Sequence, residues 1–413
     1  MTTMPSAYID ADRLWERHEA LSQFGAIPGG GVNRQALSDE EIAARDQLVR
    51  WAGDAELRVS TDDIANLFLT MEGRDPEAPN VLTGSHIDSQ PTGGKYDGTF
   101  GVLAGLEALK AIASAGLCPR RSIEVVAWTN EEGSRFAPGM MGSEAFAGIR
   151  GLDEILGVTD LHGSSVSQAV SEVLAAHPRL ARRRLGGTVH CFVEAHIEQG
   201  PVLEREGLQI GAVTGIQGVR RFRVRVTGEA AHAGTTPRAE RRDALLAANR
   251  MIMVLAETMA QPKDVMFTIG MLHIEPNAPS VVPREAYFSI DLRHPDNAVL
   301  SELGETVPGI CLDHSEPCTV EVTEIARADS LAFPEEIVAR IERTAEELGL
   351  GVKRMPSLAG HDARQLHRVC PTGMIFVPCE GGISHSERER TKPEDLLAGA
   401  RVLADVIWEL AND

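Results

Sequence analysis

The sequence predicts an α/β protein: a mixed-sheet catalytic domain interrupted by a smaller α+β module. Three observations carry this. Residues 81–128 read as strand, loop, helix and strand, the order of a βαβ unit. Residues 219–227 (VRRFRVRVT) alternate strictly between apolar and polar, as in a sheet with one wet face. After about residue 330 the apolar-strand and helix pattern resumes. The expected division is 1–213 and 329–413 for the catalytic domain, with 214–328 inserted as a lid or dimerisation domain.

The elements follow in order. Residues 10–24 and 38–53 predict helices, the second opened by a capping box of Ser38 and Glu41. Gly29, Gly30 and Gly31 between them form a flexible loop. Residues 64–70 (IANLFLT) and 81–85 predict buried strands, 98–115 a helix with an apolar face, and 122–128 (SIEVVAW) a further strand. The inserted module holds the strand 219–227, a helix at 240–260, strands near 265–274 and 285–293, a helix near 297–308 and a strand near 318–324. A helix at 334–348, an apolar strand at 373–377 and a helix at 393–411 complete the chain.

Composition narrows the function. Hydrophobic residues make up 43% of the 413, enough for a sizeable core. The formal net charge of −20 argues against nucleic-acid binding, which calls for a basic stripe. No apolar run approaches the ~18 residues that span a bilayer, so no membrane association is expected. The segment from Met1 to Arg17 is polar, with Asp10, Asp12 and Arg13, and lacks the layout of a secretion signal. The six cysteines (118, 191, 311, 318, 370 and 379) show no CxxC spacing. Reduced thiols and a cytoplasmic protein are expected.

Metal-binding residue types recur just past the ends of apolar runs: GSHID (84–88), GKYDG (94–98), TNEEG (129–133), EAHIEQG (194–200) and ISHS (383–386). In an open α/β sheet, side chains at the carboxyl ends of strands converge on one crevice. A single histidine after a strand is ordinarily structural, so the number and shared placement make the case. Histidine with carboxylate suits zinc, manganese or cobalt. Two ions roughly 3.5–4 Å apart need a bridging group, which a carboxylate supplies. Of two adjacent glutamates, one can bind metal while the other stays available as a base.

Eight segments resemble the hydantoinase/carbamoylase amidases of the M20 metallopeptidase superfamily: GSHIDS (84–89), GGKYDGTFGV (93–102), TNEEGSRFAPGMMGS (129–143), EAHIEQGPVLE (194–204), AHAGTTP (231–237), DLRHP (291–295), GHDA (360–363) and GISHS (382–386). The resemblance runs from about residue 80 to 390. That group includes N-carbamoyl-L-amino acid hydrolases, allantoate and ureidoglycolate amidohydrolases and β-ureidopropionases. The resemblance implies two divalent cations per subunit (Zn, Mn or Co), His86 and His196 binding one, Glu132 and His385 the other, with Asp97 bridging. Glu131 would be the general base and Asp88 would orient His86. Gln199 and Arg293 would bind substrate, Arg293 by a two-pronged grip on its carboxylate. His232, offered across a homodimer, would stabilise the oxyanion. His361 in GHDA is open between a structural role and substrate contact.

Two positions depart from the family. Ser280 stands where it usually has the asparagine that helps hold the substrate carboxylate, with Asn277 three residues earlier, and Arg238 stands where methionine usually follows AHAGTTP. The expected activity is hydrolysis of an N-carbamoyl-L-amino acid, a small ureido substrate with a carboxylate. The alternatives are an allantoate or ureidoglycolate amidohydrolase, an M20 aminopeptidase or deacylase, and an inactive binding protein.

Overall fold

The computed structural model describes residues 4–413. The chain forms two compact units, one running to Thr214 and resuming over Phe333–Asp413, the other Gly215–Ala332.

The larger unit is built on a mixed sheet. Its order is Ile210–Ile216, Thr372–Val377, Val189–Ile197, Asn80–His86, Ile123–Trp128, Leu67–Met71, Arg58–Thr61 and Ala181–Arg182. The four strands from Thr372–Val377 to Ile123–Trp128 run parallel. Leu67–Met71 and Ile210–Ile216 run antiparallel to their parallel neighbours on either side. Every residue of Ile123–Trp128 is buried, as a strand covered on both faces requires. The helix Thr99–Ser114 is buried almost all round, and Pro393–Asn412 packs on it. Gly399 permits the approach: a Cβ there would lie 2.8 Å from Phe100 and 2.4 Å from Val377.

Ser38 caps the helix Asp39–Asp54, its Oγ accepting from Glu41 N. The glutamate half of the capping box is redirected. The Glu41 carboxylate accepts from Leu37 N and pairs with Arg45 at 2.8 Å. The strand expected at 64–70 begins only at Leu67. The Asp62 carboxylate takes the N–H groups of Ile64 (3.1 Å) and Asn66 (3.0 Å), folding 62–66 into a turn with Ala65 at φ 64°. Three short helices, Met141–Phe146, Leu152–Leu156 and Val166–Ala176, were not anticipated; they bury Met141, Ile155, Val166 and Val170 against Ile64 and Phe136.

In the smaller unit, the strand Gly218–Thr227 lies between Glu285–His294 and Thr319–Ala328, all antiparallel. Phe222, Val224 and Val226 are buried in a cluster that includes residues of the helices Ala244–Met259 and Asn297–Asp313, while Arg221 and Arg225 alternate onto the wet face. The helix expected to stop near 308 continues through Pro308 to Asp313. Burial of Val307 and Cys311 in that cluster offsets the N–H that proline lacks. The strand expected at 265–274 is two pieces, Met266–Thr268 and Leu272–Glu275. No helix among the described residues is long and apolar enough to cross a membrane.

Candidate metal centre

The parallel strands deliver their ends to one place. His86 closes the strand Asn80–His86, in register with Trp128, and the loop after Trp128 carries Glu131 and Glu132. His196 lies opposite Phe376 in the next parallel pair. His385 follows that pair's second strand on a loop, at φ 52°. Asp97 departs from the expected pattern. It ends the long connection after His86 and immediately precedes Gly98, the N-cap of the helix Thr99–Ser114. Gly98 is needed for its positive φ of 64° and for space, since a Cβ would sit 2.4 Å from the His86 ring.

Asp97 stands at the centre. Its Oδ1 lies 3.2 Å from His196 Nε2 and 3.8 Å from His86 Nε2. Its Oδ2 lies 3.3 Å from His385 Nε2, which is 3.5 Å from Glu132 Oε2. Two donor groups result, His86–Asp97–His196 and Asp97–Glu132–His385, each with its ligand atoms within 4.8 Å of one another. Glu131 Oε2 lies beside them, 3.6 Å from His86 Nε2.

The histidines are oriented from behind. His86 Nδ1 donates to the Asp88 carbonyl and His196 Nδ1 to the Ile197 carbonyl, both at 2.9 Å. Each Nε2 therefore turns a lone pair inward. The Gly98 N–H, 3.1 Å from His196 Nε2, requires that lone pair too. Against burial, the hydrogen bond with Asp97 pushes the imidazolium form of His196 up to about 9. The proton and the Gly98 N–H compete for one nitrogen, and the Gly98 N–H, which needs the Nε2 lone pair, requires the neutral ring. Burial holds His86 neutral, pushed down to about 4.

The carboxylates call for positive charge. Burial, then the Asp97 charge, pushes Glu132 up to about 8. Burial, then Asp362 and Glu132, holds Glu131 well above the usual carboxylate range. Asp88 is pushed up to about 7 by burial and Glu41. Buried like charges this close are stable when a cation or protons neutralise them. Inward-facing imidazole nitrogens and carboxylate oxygens together fit divalent cations.

Asp88 contacts His86 through its backbone carbonyl and has a second task for its carboxylate, which accepts the backbone N–H groups of Glu131 (3.2 Å) and Glu132 (3.1 Å). Gln199 joins the cluster: its Nε2 donates to Asp97 Oδ2 and to Ser384 Oγ, both at 3.1 Å. His361 is buried and supports His196, its ring standing edge-on with centroids 4.5 Å apart and its Nε2 3.0 Å from Ser357 Oγ. Sequence reasoning missed Ser384 and Glu389, which touch Asp97. Only their nearness to His385 in the chain could have pointed to them.

His232, Asn277, Ser280 and Arg293 belong to the smaller unit. His232 is exposed on a two-residue strand paired with Val281, and its Nδ1 accepts from Gly234 N (3.0 Å) and Thr235 N (3.2 Å). Its other nitrogen is thereby the N–H donor. Ser280 is exposed and its carbonyl accepts from Ala233 N, while Asn277 is exposed at φ 53°. Arg293 Nε donates to Asp291 Oδ1 at 2.7 Å.

The profile of peptidase family M20/M25/M40 matches residues 82–409. The chain is 37% identical over 410 residues to an N-carbamoyl-L-amino-acid amidohydrolase of Rhizobium meliloti, covering 98% of this chain and 97% of that one. It is 35% identical over 398 residues to an allantoate amidohydrolase of Bacillus subtilis, covering 95% and 96%. Its fold matches the crystal structure of a hydantoinase/carbamoylase family amidase from Burkholderia multivorans with a TM-score of 0.90, at 40% identity, over 98% and 99% of the two chains. The chain thus belongs to peptidase family M20/M25/M40, and over nearly its whole length it is similar to that family's hydantoinase/carbamoylase amidases.

Proposed function

We propose that this protein hydrolyses the linear amide of an N-carbamoyl-L-amino acid to the amino acid, carbon dioxide and ammonia. The observation that carries the reading is Asp97, whose oxygens face His86 and His196 on one side and His385 on the other. His86 and His196 would hold one divalent cation, Glu132 and His385 a second, with Asp97 shared. Zinc, manganese and cobalt all suit these donors. Bound there, the cations would acidify a water and neutralise developing negative charge.

Glu131 takes the proton from the attacking water and returns it to the leaving nitrogen. Asp88 holds the Glu131–Glu132 backbone so that one carboxylate serves each task. His232 donates its Nε2–H to the carbonyl oxygen as the tetrahedral carbon forms. Arg293, oriented by Asp291, grips the substrate carboxylate, with Asn277 and Ser280 beside it. Gln199 steadies Asp97 in addition to any substrate contact. We further infer that residues 214–328 act as lid and dimerisation domain of a cytoplasmic homodimer, one subunit's His232 serving its partner.

A second reading, allantoate or ureidoglycolate as substrate, is favoured by Ser280 standing where the family usually has asparagine and by the similarity to an allantoate amidohydrolase. Metal-stripped protein reloaded with manganese, zinc or cobalt would be given N-carbamoyl amino acids, allantoate and ureidoglycolate while ammonia is measured. Fastest release from an N-carbamoyl amino acid is expected. Preference for allantoate or ureidoglycolate selects the second reading, and no metal-dependent release from any substrate overturns both.

A further inference from the structure

We propose that Glu389 is the residue that positions Asp97, so that one oxygen of that carboxylate faces each donor group; this rests on the two-cation reading above. Glu389 is fully buried, four residues beyond His385. Its Oε1 accepts the backbone N–H groups of both Tyr96 (2.9 Å) and Asp97 (3.1 Å). Its Oε2 accepts from Ser384 Oγ at 3.0 Å. That hydroxyl also lies 3.3 Å from Asp97 Oδ2, and Gln199 Nε2 reaches both groups at 3.1 Å. Asp97 is therefore fixed at two points: its peptide by Glu389 directly, and its Oδ2 through Ser384 and Gln199.

The need for such an anchor follows from the chain. Asp97 ends a connection of about ten residues without helix or strand, and its side chain has two rotatable bonds. A shared carboxylate must be held to within about 0.5 Å to serve two donor groups. A buried carboxylate accepting two peptide N–H groups supplies that constraint with charge-assisted hydrogen bonds. The connection is shaped to lie on Glu389. A Cβ at Gly94 would fall 1.9 Å from Glu389 Cδ, and Gly94 has no positive φ that would itself demand glycine. Gly94→Ala therefore displaces the Glu389 carboxylate without altering it.

The test is cobalt(II) titration of the metal-free full-length protein, followed by visible absorption and by competition with a chromophoric chelator. Wild type should take up two equivalents. Glu389→Ala and Gly94→Ala should each bind both equivalents 10–100-fold more weakly, with an altered cobalt band. Glu389→Gln, which keeps an oxygen for the two N–H groups, should recover part of the affinity. If the Glu389→Ala protein does not fold, Gly94→Ala decides alone. A folded alanine variant with wild-type cobalt affinity and spectrum overturns the proposal, even if its thermal midpoint falls, because Glu389 would then be structural only. Wild type that takes up no cobalt overturns the two-cation reading and this proposal with it; two equivalents bound unchanged in the variants sink the role of Glu389 alone.

Discussion

Asp88 Oδ1 accepts the backbone N–H of Glu131 at 3.2 Å, while the other oxygen of the same carboxylate accepts from Glu132 at 3.1 Å. One buried carboxylate thus sets the direction of two adjacent glutamates given different tasks. Asp88→Asn puts an amide N–H against one of those backbone donors, and two donors cannot share a hydrogen bond. The His86 contact uses the Asp88 carbonyl and survives the substitution. We expect the metal content to hold and kcat to fall roughly 10–100-fold. Metal analysis beside steady-state rates checks this; lost metal with an unchanged rate per bound ion would place Asp88 in the ligand scaffold alone.

Glu131 should separate chemistry from metal binding more sharply. Its Oε2 lies 3.6 Å from His86 Nε2, outside hydrogen-bond range, and it is not needed to complete either donor group. Glu131→Gln keeps the shape and removes the base. A loss of roughly 10²–10⁴-fold in kcat is expected, with both equivalents of metal retained and KM changed by only a few-fold. Full turnover in this variant would rule Glu131 out as the proton carrier.

These roles were unequally legible in the chain. His86, Glu132 and His385 follow buried apolar strands, so local pattern and the sheet rule were enough to group them. Asp97 was legible as a ligand type just ahead of the helix predicted at 98–115, but its bridging place came only from the family resemblance, because an Asp-Gly pair reads the same in any turn. Glu389 was hidden. It sits in Glu387-Arg388-Glu389-Arg390, a charged run that looks like solvated surface, and its burial comes from contact with residues nearly 300 positions away. The turn at Ala65 was missed because the local grip of the Asp62 carboxylate on Ile64 N and Asn66 N went unread, whereas at Pro308 burial in the core overrode the local preference.

Ser280 addresses substrate choice. The side chain is exposed, and its carbonyl accepts from Ala233 N, next to His232. Ser280→Asn changes only the side chain and leaves that backbone contact in place. A restored hydrogen bond to a substrate carboxylate is worth roughly 1–3 kcal/mol. The variant should therefore raise kcat/KM for N-carbamoyl amino acids by about five-fold to a hundred-fold. Little gain is expected for the corresponding substrate amide, which lacks the carboxylate. Equal gains on both would show that the position does not read the carboxylate.

His18 gives the fold a pH dependence of its own. The ring is fully buried beside Tyr96 and Phe100, and neither nitrogen has a hydrogen-bond partner. Burial pushes it down to about 3 from an unfolded value of 6.5. The unfolded chain therefore binds a proton that the folded chain refuses. Stability from this site is fully present above pH 6.5 and is lost progressively as pH falls toward 3. By pH 5 the loss amounts to about 2 kcal/mol. His18→Phe keeps a flat ring against Phe100 and removes the titration. Urea unfolding of wild type and variant, both metal-loaded, should show the variant's relative stability rising by about that amount between pH 7.5 and 5. Metal loss and the titrating carboxylates affect both proteins alike, so the difference isolates His18. A difference that stays flat across this range would mean that the folded protein admits the proton, with the ring reached by water or free to move.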